Sequence, residues 1–365
     1  MQANPFKPTA GKTPPAIIGR EEVIEEFIEG LENGAGAPSR LMRISGVRGT
    51  GKTVLLGEVG KLASDQGWLL IKEVATKGLC QRILNELLPA YRVDSAEISP
   101  ALMGASLGKV KLEHVGPTLH EALSKAIQEN GHGLIITLDE VQDAAMDEVR
   151  ILSIAIQQLI GDDLDIAFIF AGLPSMITDV INGKTLTFLR RAVPFELKAV
   201  ELDDVADSLA VTIRQTGMEI SDSVAALLAR ETQGYPFLIQ LVGYQAWQGA
   251  KRRSSSVIDE EIAEKGAAAA RVRFGAAVIE PALQRVSPAG MRYLLAMASE
   301  GDEEIASSGV LERLGKSASQ VSVIRSRLLK DSLIEAPGYG RLRFAIPYMA
   351  DYLNQHRAEL ETCLQ

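Results

Sequence analysis

Two short stretches of the sequence combine residue types and spacing that could do chemistry. The first is Gly46-Val47-Arg48-Gly49-Thr50-Gly51-Lys52-Thr53, followed by Val54. It fits the pattern G-x-x-x-x-G-K-[ST] of a loop that wraps polyphosphate. Its glycines let successive backbone N–H groups turn inward towards an anion, and a helix starting at Lys52 would present its positive end to the same charge. Lys52 is placed to reach the β- and γ-phosphates, and the Thr53 hydroxyl to ligate Mg²⁺. The second stretch is Leu134-Ile135-Ile136-Thr137-Leu138-Asp139-Glu140, an apolar run closed by two carboxylates. Asp139 would hold the metal and Glu140 would orient and deprotonate an attacking water. ATP and Mg²⁺ are therefore the expected ligands, and hydrolysis the expected reaction. Lys52 and Glu140 are its candidate catalytic residues.

These groups need a scaffold that brings 46–53 and 139–140 together. Leu41–Ser45 reads as a short strand before the loop, and further strands are expected at Trp68–Val74, Leu134–Leu138, Ile166–Ala171 and Val193–Leu197. Helical spacing separates them, as in Val23, Ile24, Phe27, Ile28 and Leu31, or Leu119, Ala122, Leu123, Ala126 and Ile127. Strands alternating with helices imply an α/β fold, with a parallel sheet between helices. Ligands of such sheets bind beyond the carboxyl ends of the strands, which would set Asp139 and Glu140 beside the loop. Ala101–Val115 reads as an inserted hairpin. Residues 1–15 lack periodicity and read as a mobile lead-in.

After about residue 200 the strand signal fades and helical patterns take over, at Leu202–Ile213, Val224–Ala229, Phe237–Trp247 and 259–275. Residues 282–350 then read as a winged helix: three helices, the third at Ser317–Leu329, followed by a hairpin wing that turns at Pro337-Gly338-Tyr339-Gly340. Between Arg313 and Arg343 the chain carries seven basic and two acidic residues, a local net charge of +5 in a protein of net charge −9. Lys316, Ser319, Gln320, Ser322, Arg325, Arg341 and Arg343 are candidate contacts to double-stranded DNA, from a helix in the major groove and a wing on the phosphates.

Composition narrows the alternatives. Two cysteines, Cys80 and Cys363, and four histidines supply neither a disulfide framework nor a metal-ligand cluster. No run approaches the roughly 20 apolar residues of a membrane span, and the N-terminus lacks a signal-peptide pattern. A cytoplasmic protein without a membrane partner is expected.

Over about residues 15–355 the sequence resembles the AAA+/STAND superfamily of ATPases, especially its origin-recognition-like and archaeal-type branch. The fold implied is a P-loop NTPase of the ASCE type at 16–199, a helical lid at 200–278, a winged helix at 279–355 and a tail at 356–365. Ile17-Ile18-Gly19-Arg20-Glu21 is similar to the segment that lies against adenine in that group, which implies nucleotide contacts from Ile18, Gly19 and Arg20. The resemblance places sensor 1 at Phe170-Ala171-Gly172-Leu173-Pro174, where this chain has Gly172 and, slightly later, Ser175 instead of a polar residue at the strand end. It implies that Arg190 or Arg191 acts as an arginine finger on a neighbour's nucleotide. Gly234-Tyr235-Pro236 resembles a lid motif in which Pro236 lies near the base, and no sensor 2 arginine stands at this helix. The function implied is a switch that couples ATP or ADP to DNA binding. The alternative is a regulatory ATPase whose winged helix contacts protein and which self-associates with nucleotide.

Overall fold

The computed structural model describes residues 3–9, 11–88, 117–141, 146–182, 187–301 and 303–364. The first half contains α1 (Glu21–Glu32), β1 (Leu41–Ser45), α2 (Lys52–Asp65), β2 (Leu69–Val74), α3 (Leu79–Leu87), α4 (Leu119–Asn130), β3 (Leu134–Asp139), α5 (Met146–Gly161), β4 (Ile166–Gly172), α6 (Pro174–Asn182) and β5 (Val193–Glu196). The strands form one parallel sheet in the order β2-β3-β4-β1-β5. Every residue of β3 and β4 is buried, as continuous apolar runs require in a sheet covered on both faces. Alternate side chains serve the two sides. Ile136, Leu138, Phe168 and Phe170 pack with α4 and α5, whereas Met42, Ile44, Ile135 and Ile169 pack with α1 and α2. The chain order reverses at β1, which opens a crevice at its carboxyl end.

The second region holds α7 (Leu202–Arg214), β6 (Glu219–Ile220), α8 (Asp222–Thr232), α9 (Pro236–Arg252), β7 (Val257–Ile258) and α10 (Glu260–Phe274). Helix starts follow side-chain chemistry. The Ser221 hydroxyl accepts from Val224 N–H, the Asp259 carboxylate accepts from Ile262 N–H, and Pro236 opens α9. The two-residue strands β6 and β7 pair in parallel, too short to leave an alternating pattern in the sequence. A wide π-type turn at Gly275–Ile279 leads from α10 into α11 (Glu280–Leu283).

The third region runs α12 (Pro288–Ala298), β8 (Ile305–Ala306), α13 (Ser307–Leu314), α14 (Ala318–Lys330), β9 (Ile334–Glu335), β10 (Arg341–Phe344), α15 (Met349–Gln355) and α16 (Arg357–Thr362). Its three strands form an antiparallel sheet in the order β8-β10-β9. No helix of the described residues is long and apolar enough to cross a membrane.

One expectation needs amending. Residues 1–15 are not a free lead-in over their described part. Phe6 is 2% exposed in the core of the second region. A Cβ on Gly243 of α9 would stand 2.4 Å from its ring, Asn4 donates to the Tyr244 carbonyl, and Lys7 N–H donates to the Gln240 side chain. One aromatic anchor in a short segment leaves no periodic signal. The tail forms α16, and Arg357 donates to the Leu295 carbonyl of α12. The segment after β4 forms α6. The hairpin expected at Ala101–Val115 lies outside the described residues.

Candidate functional site

The loop between β1 and α2 is shaped by its glycines. Gly49 and Gly51 take φ of 80° and 93°, a region that side chains disfavour. A Cβ on Gly46 would meet Thr50 Oγ1 at 2.5 Å. Lys52, 6% exposed, donates from Nζ to the carbonyls of Gly46 (2.8 Å) and Val47 (2.9 Å). Burial lowers its pKa; Glu140 and Asp139 act the other way, and Arg48 reinforces the lowering. An ammonium already stripped of water and surrounded by backbone is poised to exchange two carbonyls for an anion.

Although β4 lies between β1 and β3, the tips of the two strands converge. The Thr53 hydroxyl donates to Asp139 Oδ2 at 2.5 Å, and Glu140 N–H donates to Oδ1 at 2.8 Å. Both oxygens of Asp139 are thus oriented. Glu140 adopts a left-handed conformation, φ 53°, uncommon outside glycine, and lines the same cavity as Lys52. Strained backbone of this kind is common at ligand sites.

That cavity measures about 510 Å³. Its walls come from the loop (Arg48 through Leu55), the segment before α1 (Ile17, Ile18, Arg20), the start of α9 (Pro236, Phe237) and the turn into α11 (Ala277, Val278). Gly46 and Val47 stand behind the wall, where their carbonyls hold Lys52. Gly19 (φ 63°) does not line the cavity; a Cβ there would press on Val200 at 3.1 Å. Arg20 does line it, yet its guanidinium is tied to the carbonyls of Gly19, Thr50 and Lys198, so it braces the loop from behind.

The donor set fits a magnesium nucleotide: a hydroxyl and a carboxylate in contact at a helix start, beside a lysine and a backbone cradle that any Cβ at Gly46 would crowd. Thr53 and Asp139 are the residues that would hold Mg²⁺. Bound there, it would supply positive charge to the terminal phosphate oxygens.

Other expected residues fall elsewhere. Arg190 and Arg191 are exposed and do not line their own chain's cavity; Arg190 Nε donates to the Ile181 carbonyl. The Ser175 hydroxyl donates to the Lys330 carbonyl of α14, away from the cavity. In the third region Lys316, Ser319, Gln320, Ser322 and Arg341 are exposed. The Gln320 side-chain oxygen Oε1 accepts from Ser317 N–H, and Arg343 pairs with Glu335 at 2.6 Å. Arg325, expected on the exposed face of α14, is half-buried, and its Nε lies buried without a hydrogen-bond partner among the described residues. No local pattern signals this, because the residue takes a neighbour from α12, where it lies near Tyr293.

Residues that sequence reasoning passed over also stand here. Tyr235 lies against the loop: a Cβ on Gly49 would meet its ring at 2.6 Å. Its hydroxyl is buried without a partner among the described residues, and burial pushes its pKa up. Its place beside Pro236 was the available signal. Arg285, just past α11, lines the cavity with no motif around it.

Loop, strand tip and cavity define a P-loop nucleotide-binding protein of the α/β class. Residues 16–161 match the AAA ATPase domain family, and residues 276–353 match a domain of unknown function (DUF8462). Comparison with curated protein sequences finds no match. Similar solved structures include the ORC2 protein of Aeropyrum pernix in ADPNP-ADP complexes, at 16% identity and TM-score 0.67, covering 98% of this chain and 97% of that one. A Walker-type ATPase of Pyrococcus abyssi matches at 19% identity and TM-score 0.64, with 93% and 96% covered. Cdc6p of Pyrobaculum aerophilum matches at 16% identity and TM-score 0.52, with 98% of each chain covered. Residues 16–161 are thus similar to AAA ATPase domains, and the chain shares the fold of these origin-recognition-type structures.

Proposed function

We propose that this protein binds and slowly hydrolyses ATP, and that its nucleotide state sets the DNA affinity of a C-terminal winged helix. The observation that carries the first part is the 2.5 Å contact between Thr53 and Asp139 at the edge of a cavity that Lys52 and Glu140 also line. In this reading the loop amides and Lys52 grip the phosphates. Thr53 and Asp139 hold the metal. Glu140 takes a proton from the water that attacks the terminal phosphate, and ADP and phosphate leave. Pro236, Ile18 and Arg20 line the part of the cavity that encloses the rest of the nucleotide.

The C-terminal unit supports the second part by its element order, helix, strand, two helices and two strands, which is that of a winged helix. The first half of α14 is exposed apart from Val321, and its last turn docks on the ATPase core through Ser175 and the Lys330–Asp179 ion pair at 2.6 Å. Since α6 follows the tip of β4, a shift at the cavity mouth has a direct path to α14. Titration of labelled duplex at fixed salt, with ATP analogue, with ADP and with neither, tests the coupling. Linkage requires DNA to alter nucleotide affinity by the same factor. Equal DNA affinities in all three conditions would refute it.

One observation favours the alternative, in which the unit contacts protein and the chain self-associates with nucleotide. Arg313, Arg327, Lys330 and Arg343 all pair with acids, and Val323 on α14 is 79% exposed. Gel filtration with ADP and with ATP analogue distinguishes the two. A nucleotide-dependent larger species without salt-sensitive DNA binding selects the alternative, and Arg190 or Arg191 would then be tested as trans fingers.

A further inference from the structure

A magnesium-bound triphosphate keeps negative charge at its far end, and the cavity must answer it. The candidate site supplies one cation to the phosphates, Lys52, with two carboxylates close by. The tip of β4 ends in Gly172, which has no side chain to offer, and the start of α9 (Tyr235, Pro236, Phe237) brings no positive charge. Arg20 is occupied by three carbonyls.

Lys7, whose ammonium donates to the Asn4 carbonyl, and Lys12 line the cavity from the N-terminal segment, which leaves Arg48 and Arg285 as the cations shared with the C-terminal side. Both line the nucleotide cavity, and both also line a second cleft of about 160 Å³, between the junction of β4 and α6 (Leu173, Met176) and the C-terminal unit (Arg327, Asp331). They stand at the passage between the two spaces. Among the described residues neither guanidinium donates a hydrogen bond or forms an ion pair. Arg285 is exposed, so its side chain can swing at little cost. Of the cations lining the nucleotide cavity, only Arg285 belongs to the stretch joining the second region to the C-terminal unit. That stretch is itself part of the cavity wall, through Ala277, Val278 and Pro281, and it contains the wide turn at Gly275–Ile279. Irregular helical turns of this kind are common bending points.

We propose that Arg285, beside Arg48, grips the terminal phosphate of bound ATP and releases it when only ADP is present, so that the phosphate draws the stretch 275–287, and with it the C-terminal unit, towards the core. The inference rests on the cavity being an ATP site. A guanidinium suits this task because two parallel N–H groups can engage two oxygens of one phosphoryl group, a geometry that a lysine cannot copy. Arg285 is a phosphate-sensing residue in this scheme and needs no part in activating water.

The test uses the full chain and its Arg285→Gln variant, matched in melting temperature. Affinities for a nonhydrolysable ATP analogue and for ADP, each with Mg²⁺, are measured by displacement of a fluorescent nucleotide. Wild type should prefer the triphosphate. The variant should lose roughly tenfold or more in triphosphate affinity, as expected for a charge-assisted contact, with ADP binding unchanged. Hydrogen exchange across 275–287 should slow with the triphosphate and not with ADP in wild type, and this difference should vanish in the variant. Equal triphosphate affinity in the two proteins, or an equal loss for both nucleotides, would overturn the proposal. Wild type that binds neither nucleotide contradicts the ATP site itself, and the sensing role falls with it, so the two failures are told apart.

Discussion

The phosphate loop and the C-terminal basic unit are both marked in the sequence, one by a contiguous motif and the other by a charge count, and the structure treats them differently. In the loop, neighbours in sequence are neighbours in space, and their roles depend on backbone geometry: glycines in left-handed turns, a lysine folded back on Gly46 and Val47, a threonine at a helix start. In the C-terminal unit, four of the seven basic side chains between 313 and 343 find acidic partners. Glu300 and Asp179, two of those partners, lie outside the counted stretch. Backbone-encoded chemistry is local and survives folding as written. Side-chain charge is redistributed by contacts that no local pattern announces.

The comparison breaks first if the loop is not the seat of phosphate binding. Lys52→Ala should weaken ATP-analogue binding by roughly a hundredfold or more, measured by calorimetry, since it removes a desolvated cation from the phosphates. Glu140→Gln should keep nucleotide affinity and lower steady-state phosphate release by about 10²–10⁴-fold, the range for a lost general base. Turnover near the wild-type rate would deny Glu140 that role.

The legible part of the molecule follows the same division. The five strands of the sheet lie close to where they were expected, and β3 and β4 were the most legible because they are buried on both faces and carry no charge except Asp139 at the tip of β3. The contact of Thr53 with Asp139 was foreseeable from the rule that strand tips bear ligands. Phe6 and Arg285 were not readable as core or site residues, since each acts through distant partners, Gly243 for Phe6 and the cavity wall for Arg285, and Tyr235, which packs on Gly49, was marked only by its place beside Pro236. Arg325 misled for the same reason.

Smaller effects sharpen the contrast. Lys316→Ala and Arg341→Ala, which remove exposed cations without ion pairs among the described residues, should each reduce the slope of log affinity against log salt by about 1 if they meet DNA phosphates. Arg313→Ala, whose guanidinium is held by Glu300, should leave that slope nearly unchanged. A reversed order would show that the paired residues form the DNA surface. Gly243→Ala should push Phe6 off α9 and cost about 1–3 kcal/mol by overpacking, read as a lower melting midpoint and earlier cleavage near the N-terminus. Cys80, half-buried with its thiol pushed up to about 11 by burial and by Glu148, should resist alkylation at pH 8, while exposed Cys363 reacts.

Titration calorimetry of a nonhydrolysable ATP analogue with Mg²⁺ into the wild-type chain and into Lys52→Ala bears most directly on the whole account. A saturable heat near one nucleotide per chain in wild type, absent in the variant, is the expected result. No heat in wild type, or the same isotherm in both proteins, would place the nucleotide elsewhere or nowhere.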